Sequence, residues 1–253
     1  MATTPTRLFN GLSTEKITNP LGMFPLPNRG AGRICVYEND FNTYAAGDYT
    51  VVAGGAGSAA ALAAGAGGWL VLTTATSGTE AITGNPSFNF TSATSSAAGL
   101  QTWFEARVLL DATVAQPDYT IGLTKGALTT INSATDGVYF TKATTATSWS
   151  LVIKAAAGAT TTIVLPNTTP VASAIIDLAY YFDGKGMFYI YFNKALVGTY
   201  GSSPNGATGS LGSSLVNLPA STILMGPTLL NAFHTGTSLL TADYLLAAVE
   251  IAR

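Results

Sequence analysis

Side chains able to do acid–base, nucleophilic or metal chemistry are few in this chain. One histidine, His234, and one cysteine, Cys35, accompany 13 acidic and 11 basic residues in 253 positions. A lone histidine excludes a multi-histidine metal centre. Any Ser–His–Asp relay would depend on His234, and no G-x-S-x-G elbow accompanies it. Cys35 has no neighbouring base or cation in sequence to draw off its proton, so it reads as a small apolar packing group. A single cysteine also excludes an intrachain disulfide. Glu38-Asn39-Asp40 places two acids at period two, the first half of an E-x-D-x-x-E pattern that suits glycoside hydrolysis on a curved sheet. Thr43 stands where the third acid belongs, and Asn39-Asp40 also carries a turn signal. Other acids stand singly, among them Glu80, Glu105, Asp111, Asp118, Asp136, Asp177, Asp183, Asp243 and Glu250. Glu105 and Arg107 share a strand face and are expected to form a structural pair. Asp40, Asn42 and Tyr44 lack the ligands and turn glycine of a calcium loop, and no G-K-[ST] follows the Gly54–Gly57 or Gly65–Gly68 runs. The expectation is therefore no enzyme, no cofactor and no metal.

Aromatic side chains offer a different chemistry. Trp103, Trp149, Tyr180, Tyr181, Tyr189 and Tyr191 could stack on sugar rings, against a competing role in sandwich packing. Four of them lie in the most informative stretch, Ala179 to Thr199. Asp183-Gly184-Lys185-Gly186 is a tight-turn signal between two alternating runs, which predicts a hairpin. Phe188, Ile190 and Phe192 point one way, and Met187, Tyr189 and Tyr191 the other. Asn193-Lys194 then turns the chain into Leu196-Val197-Gly198.

From residue 34 onward the chain is strand-like. Expected strands are 34–37, 49–52, 69–73, 87–91, 102–110, 119–124, 137–141, 148–155, 160–165, 174–182, 187–193, 195–200, 222–230 and 242–252. Asp136-Gly137, Ala157-Gly158 and Asn205-Gly206 add turn signals. Short strands at near-regular spacing predict an all-β, antiparallel sandwich or barrel. Helix is scarce: Ala59–Ala64, fenced by glycines, reads as loop or strand with room for one helical turn, and a short helical turn is the other option near Leu229–Phe233. Gly201 to Ser214 reads as a long Gly/Ser loop or a protruding hairpin.

Charged residues are 9% of the chain, against roughly 25% in a typical soluble domain. The net charge is -2, too weak and mixed to capture nucleic acid or an anionic membrane. A surface covered by Thr, Ser, Gly, Ala and Asn relies little on charge for solubility, so part of it is expected to be buried in an assembly. The opening residues lack the apolar run of a signal peptide. Residues 1–33 form a separate region, expected to be an extended N-terminal arm before a domain spanning 34–253. They carry Pro5, Pro20, Pro25 and Pro27, and prolines hold the backbone extended. Four basic residues, Arg7, Lys16, Arg29 and Arg33, outweigh Glu15 there, and Leu8, Phe9, Leu12, Met23 and Phe24 are candidate apolar anchors. The entropy of fixing this arm is of the same size as the burial it can gain, so it is expected to order only against its own domain or a partner.

Several motifs in order resemble a known group. They are Val36-Tyr-Glu-Asn-Asp-Phe-Asn42, Gly67-Gly-Trp-Leu70, Trp103-Phe-Glu-Ala-Arg107, Ile121-Gly-Leu123, Asp136-Gly-Val-Tyr-Phe140, the hairpin above, and the closing Ala242-Asp-Tyr-Leu run that ends at Arg253. Together they resemble phage head decoration proteins with a concanavalin A-like jelly-roll domain, over roughly residues 33 to 253. The resemblance implies a jelly-roll β-sandwich and a structural virion protein. Such a protein is made in the host cytoplasm and clamps the major capsid protein on the outer capsid surface, often as a homotrimer. Lectin metal-site residues have no match here. A carbohydrate-binding module of a phage tail or adhesin is the alternative, and it predicts an aromatic platform open to solvent.

Overall fold

Uncharged β-branched and aromatic runs pair with one another and leave almost no helix. The computed structural model describes residues 34–63, 68–75, 78–91, 99–126, 128–156, 159–202, 206–233 and 236–250. Residues 1–33, with every expected arm anchor, lie outside the described residues, as does His234. Sheet A contains β1 (Ile34–Asn39), β3 (Ala59–Leu62), β4 (Leu70–Thr74), β6 (Thr102–Leu109), β11 (Ile175–Phe182), β12 (Met187–Phe192), β13 (Ala195–Gly201) and β15 (Ser238–Glu250). Sheet B contains β2 (Tyr49–Ala53), β5 (Thr79–Gly84), β7 (Asp118–Thr124), β8 (Gly137–Lys142), β9 (Ser150–Ala155), β10 (Ala159–Val164) and β14 (Gly226–Ala232). The one helical element among the described residues is a 3-10 turn at Ala46–Asp48.

Sheet A runs β13-β12-β11-β6-β15-β4-β3, with β1 beside β4 on the same flank of β15. Sheet B runs β10-β9-β8-β7-β14-β5-β2. Both sheets are antiparallel throughout, and two meanders, β7–β10 and β11–β13, form one side of each. The last two strands fill the centres: β14 lies between β7 and β5, and β15 between β6 and the β4/β1 flank.

The core sits between the sheets, because alternation on each strand turns one row inward. Phe104, Ala106 and Val108 of β6 face Ile121 and Leu123 of β7 and Val138 and Phe140 of β8, all buried. Phe90, Phe104, Phe140 and Phe188 surround Tyr180 with ring centroids 5.4–6.2 Å from it, and Phe182 packs on Phe90 and Phe188 at 5.8 and 4.8 Å. The Tyr180 hydroxyl donates to the Val138 carbonyl at 3.0 Å, which satisfies a polar atom at the centre of this aromatic group.

The hairpin forms as its sequence predicts. Asp183 Oδ1 accepts the Lys185 and Met187 amides at 2.7 and 3.0 Å, and Gly184 and Gly186 take φ of 70° and 110°. Three expectations need correction. Residues 87–91 form only isolated bridges through Phe88 and Thr91, because proline at 86 interrupts the ladder at their entry. Thr79–Gly84, unpredicted, is an inner strand with Ala81 to Gly84 all buried. Of the two readings of Ala59–Ala64, loop or strand, the strand holds: Ala59–Leu62 is an edge strand, since pairing with β4 outweighs alanine's helical propensity. Leu229–Ala232 likewise extends β14.

Candidate interaction surfaces

Sheet A carries a second apolar cluster on the face turned away from the core. The alternation that sends Phe104 and Ala106 inward sends Trp103, Glu105 and Arg107 outward. On β11 the outward row is Asp177, Ala179 and Tyr181, and on β12 it includes Tyr189 and Tyr191. Register sets Tyr181 opposite both Trp103 and Tyr189. Ring centroids are 6.3 Å apart for Trp103–Tyr181, 6.0 Å for Trp103–Tyr191 and 5.7 Å for Tyr181–Tyr189. Leu246 and Ala248 of β15 and Ile34 of β1 continue the cluster. Trp103 is 0% exposed, Tyr181 4% and Tyr191 8%, while Tyr189 is half-buried. Burial pushes the Tyr191 hydroxyl up to about 12. Of the six aromatics singled out in the sequence, four thus share this face. Tyr180 and Trp149 are interior, and Trp149 stacks on Tyr119 at 6.0 Å.

A charged cluster borders the rings. The Tyr244 hydroxyl donates to the Glu105 carboxylate. Arg107 lies between two other acids, 3.5 Å from Asp243 and 3.8 Å from Asp177. The expected Glu105–Arg107 pair is therefore replaced, because a β-bulge between Ala242 and Tyr244 inserts Asp243 opposite β6. Burial raises the Glu105 carboxyl above its ordinary range, opposed by the Tyr244 hydrogen bond. Burial also raises Asp177, against the pull of Lys194 and Arg107. Of the period-two pair, Glu38 is on β1 and Asp40 lies just beyond its end, accepting from the Asn42 side-chain amide at 2.5 Å; burial, and then the Asp40 charge, raise the Glu38 carboxyl. Cys35 is half-buried against the main core. Among the described residues no three His, Cys, Asp or Glu side chains are grouped to hold a metal ion. No described helix is long and apolar enough to cross a membrane.

Glu80 is the unexpected ionisable residue. It sits on β5 opposite Asn231, on the inward side with Ile82, and is 0% exposed. Both carboxylate oxygens lack a hydrogen-bond partner. Asn231 is engaged elsewhere, donating to the Leu72 carbonyl at 3.0 Å and accepting from Ser238 Oγ at 3.2 Å. Burial pushes the Glu80 carboxyl up to about 7. No sequence signal marks this, since the residue is an isolated acid in an unpredicted strand.

The sheet edges form the third feature. The outward edge of β13 is covered by the chain's own 208–212 segment: Leu211 N–H donates to the Thr199 carbonyl at 2.9 Å, and Gly209 N–H to the Gly201 carbonyl at 2.8 Å. The Gly/Ser stretch is thus an edge cover. β10 and β2, at opposite ends of sheet B, have no such cover among the described residues. β10 reads Ala-Thr-Thr-Thr-Ile-Val and β2 reads Tyr-Thr-Val-Val-Ala. Neither contains a charge or a proline. Val164 is 63% exposed and Val51 36%.

No family model matches the chain, and no curated protein matches it in sequence. Solved structures match in fold. A protein of unknown function from Shewanella oneidensis MR-1 aligns with a TM-score of 0.53 at 13% identity, covering 99% of each chain. Peanut lectin, solved with a 9mer peptide, aligns with a TM-score of 0.50 at 10% identity, covering 87% of this chain and all of the lectin chain, 100%. A botulinum neurotoxin type C chain aligns with a TM-score of 0.47 at 10% identity over 79% of this chain. This chain spans 42% of that toxin chain's length. Two antiparallel sheets in this order, with these likenesses, define a lectin-like jelly-roll β-sandwich.

Proposed function

We propose that this protein is a structural subunit that decorates the outer surface of a phage capsid, binding the major capsid protein as a small homo-oligomer, and that it catalyses no reaction. The observation that carries the reading is the pair of open, uncharged edges on sheet B. A monomer at work in solution guards such edges with lysine, proline or a cover, because unpaired N–H and C=O groups invite another strand. Among the described residues β13 is covered, while no backbone segment pairs with the outer edge of β10 or of β2. Two different edges at opposite ends of one sheet suit a head-to-tail contact, which closes into a ring when the rotation allows. A trimer is the ring the motif resemblance implies. Many copies on a lattice then bind through modest contacts that reinforce one another.

The test uses light scattering and capsids with and without the chain. The intact protein is expected to form a trimer and to raise the capsid melting temperature. Thr162→Lys with Val164→Lys on β10 is expected to give a folded monomer with reduced occupancy. An intact protein that is monomeric and leaves capsid melting unchanged would sink the proposal.

Sugar recognition is the second reading. It draws on Tyr189, a half-open ring of the outer row, while the burial of Trp103, Tyr181 and Tyr191 counts against a stacking platform. Glycan-array binding lost in a folded Tyr189→Ala variant is the outcome that would favour it.

A further inference from the structure

We propose that residues 1–33 lie across the outer face of sheet A of their own chain and cap the Trp103–Tyr181–Tyr191 cluster. Three observations lead there. First, these three side chains are almost fully buried, yet all fifteen strands belong to the two sheets. No described strand or helix forms a third layer above them. A tryptophan flat on a sheet face keeps substantial exposure unless apolar groups cover it.

Second, the chain outside the described residues ends at this face. β1 begins at Ile34, opposite Glu250, and the Ile34 side chain packs on the same cluster. The preceding 33 residues can span about 110 Å when extended. The face from β1 to β13 crosses five strand spacings, about 24 Å. Reach is therefore ample, and Leu8, Phe9, Leu12, Met23 and Phe24 supply the apolar side chains such a cap needs.

Third, the charges are complementary. Glu38, Glu105, Asp177 and Glu250 occupy outward positions of the sheet, with Asp243 at the bulge. Arg107 and Lys194 are the cations beside them. The region 1–33 brings Arg7, Lys16, Arg29 and Arg33 against one acid, Glu15. An excess of acid on the face meets an excess of base in the segment. A second copy could supply the same segment. The entry of β1 on this face favours the same chain, because the tether keeps its effective concentration high.

The test uses the full-length protein at concentrations where light scattering reports a monomer. Trypsin cleavage after Lys16 and hydroxyl-radical labelling of Trp103 and Tyr191 are measured in the intact chain and in a Phe9→Asp/Phe24→Asp variant. Circular dichroism confirms that the variant keeps its β structure. Local opening controls both readouts, so the variant is expected to be cut and labelled about tenfold faster. Equal rates in the two proteins would overturn the proposal. Protection that appears only as concentration rises would also overturn it, and would assign the segment to a neighbouring copy.

Discussion

A carboxyl group buried without a hydrogen-bond partner strains a fold more than most single residues, and Glu80 is that group here. Its ordinary value is 4.5 and burial raises it to about 7 in the folded chain. Below pH 4.5 the folded and unfolded chains are both protonated and the fold has its full stability. As pH rises toward 7 the unfolded chain gives up the proton while the folded chain holds it, so stability falls. Above 7 the loss levels off, at on the order of 3 kcal/mol for a shift of this size. Glu80→Gln keeps the shape and removes the titration. Chemical denaturation at pH 8 is expected to show a more stable variant, by up to that amount, with the gain vanishing at pH 4. A variant no more stable than the parent at pH 8 would mean that Glu80 finds a partner in solution. Tyr44 is the titratable group beside it, and its hydroxyl is raised first by burial and then by the Glu80 charge.

At the scale of elements, β7 and β8 approach closely at a glycine. Gly122 lies opposite Tyr139 in the ladder. A Cβ at position 122 would fall 2.4 Å from the Tyr139 Cα and 2.5 Å from its Cβ. Tyr139 cannot yield, since it is fully buried with Leu128 and Ala134 packed against it. Gly122→Ala is expected to destabilise the domain by about 2 kcal/mol or more, because the strands themselves must part. Thermal melts of the two proteins check this, and an unchanged midpoint would refute the packing argument. The β15 bulge acts at the same scale. It inserts one residue, Asp243, and moves the ionic partnership of Arg107 from its own strand to its two neighbours.

At the scale of the whole molecule, the proposed capsid binding would rest on area and strand pairing more than on charge. With 9% charged residues and a net charge of -2, few counterions are released on contact. Capsid occupancy is therefore expected to change by less than about tenfold between 50 and 200 mM salt, unlike a charge-driven complex, which loses roughly 10³–10⁵. A salt titration of capsid binding measures it, and a steep slope would point to basic anchors in residues 1–33 in place of the sheet edges. The two proposals divide the surface between them: the edges of sheet B meet other molecules, and the outer face of sheet A meets the chain's own first residues.

Local chemistry made much of this legible in advance. Asp183-Gly184 predicted a hairpin, period-two alternation separated Phe188 and Ile190 from Tyr189 and Tyr191, and short strand-like runs at near-regular spacing between turn signals predicted an all-β fold. Those are properties of a residue and its near neighbours. Which outward row would be buried, which acid Arg107 would hold, and that Glu80 would sit unpartnered depend on pairings between residues far apart in sequence, such as Glu80 with Asn231 and Trp103 with Ala248. Only the closed sandwich makes those pairings, because register between distant strands is set by the joint packing of both sheets and not by any one strand's sequence.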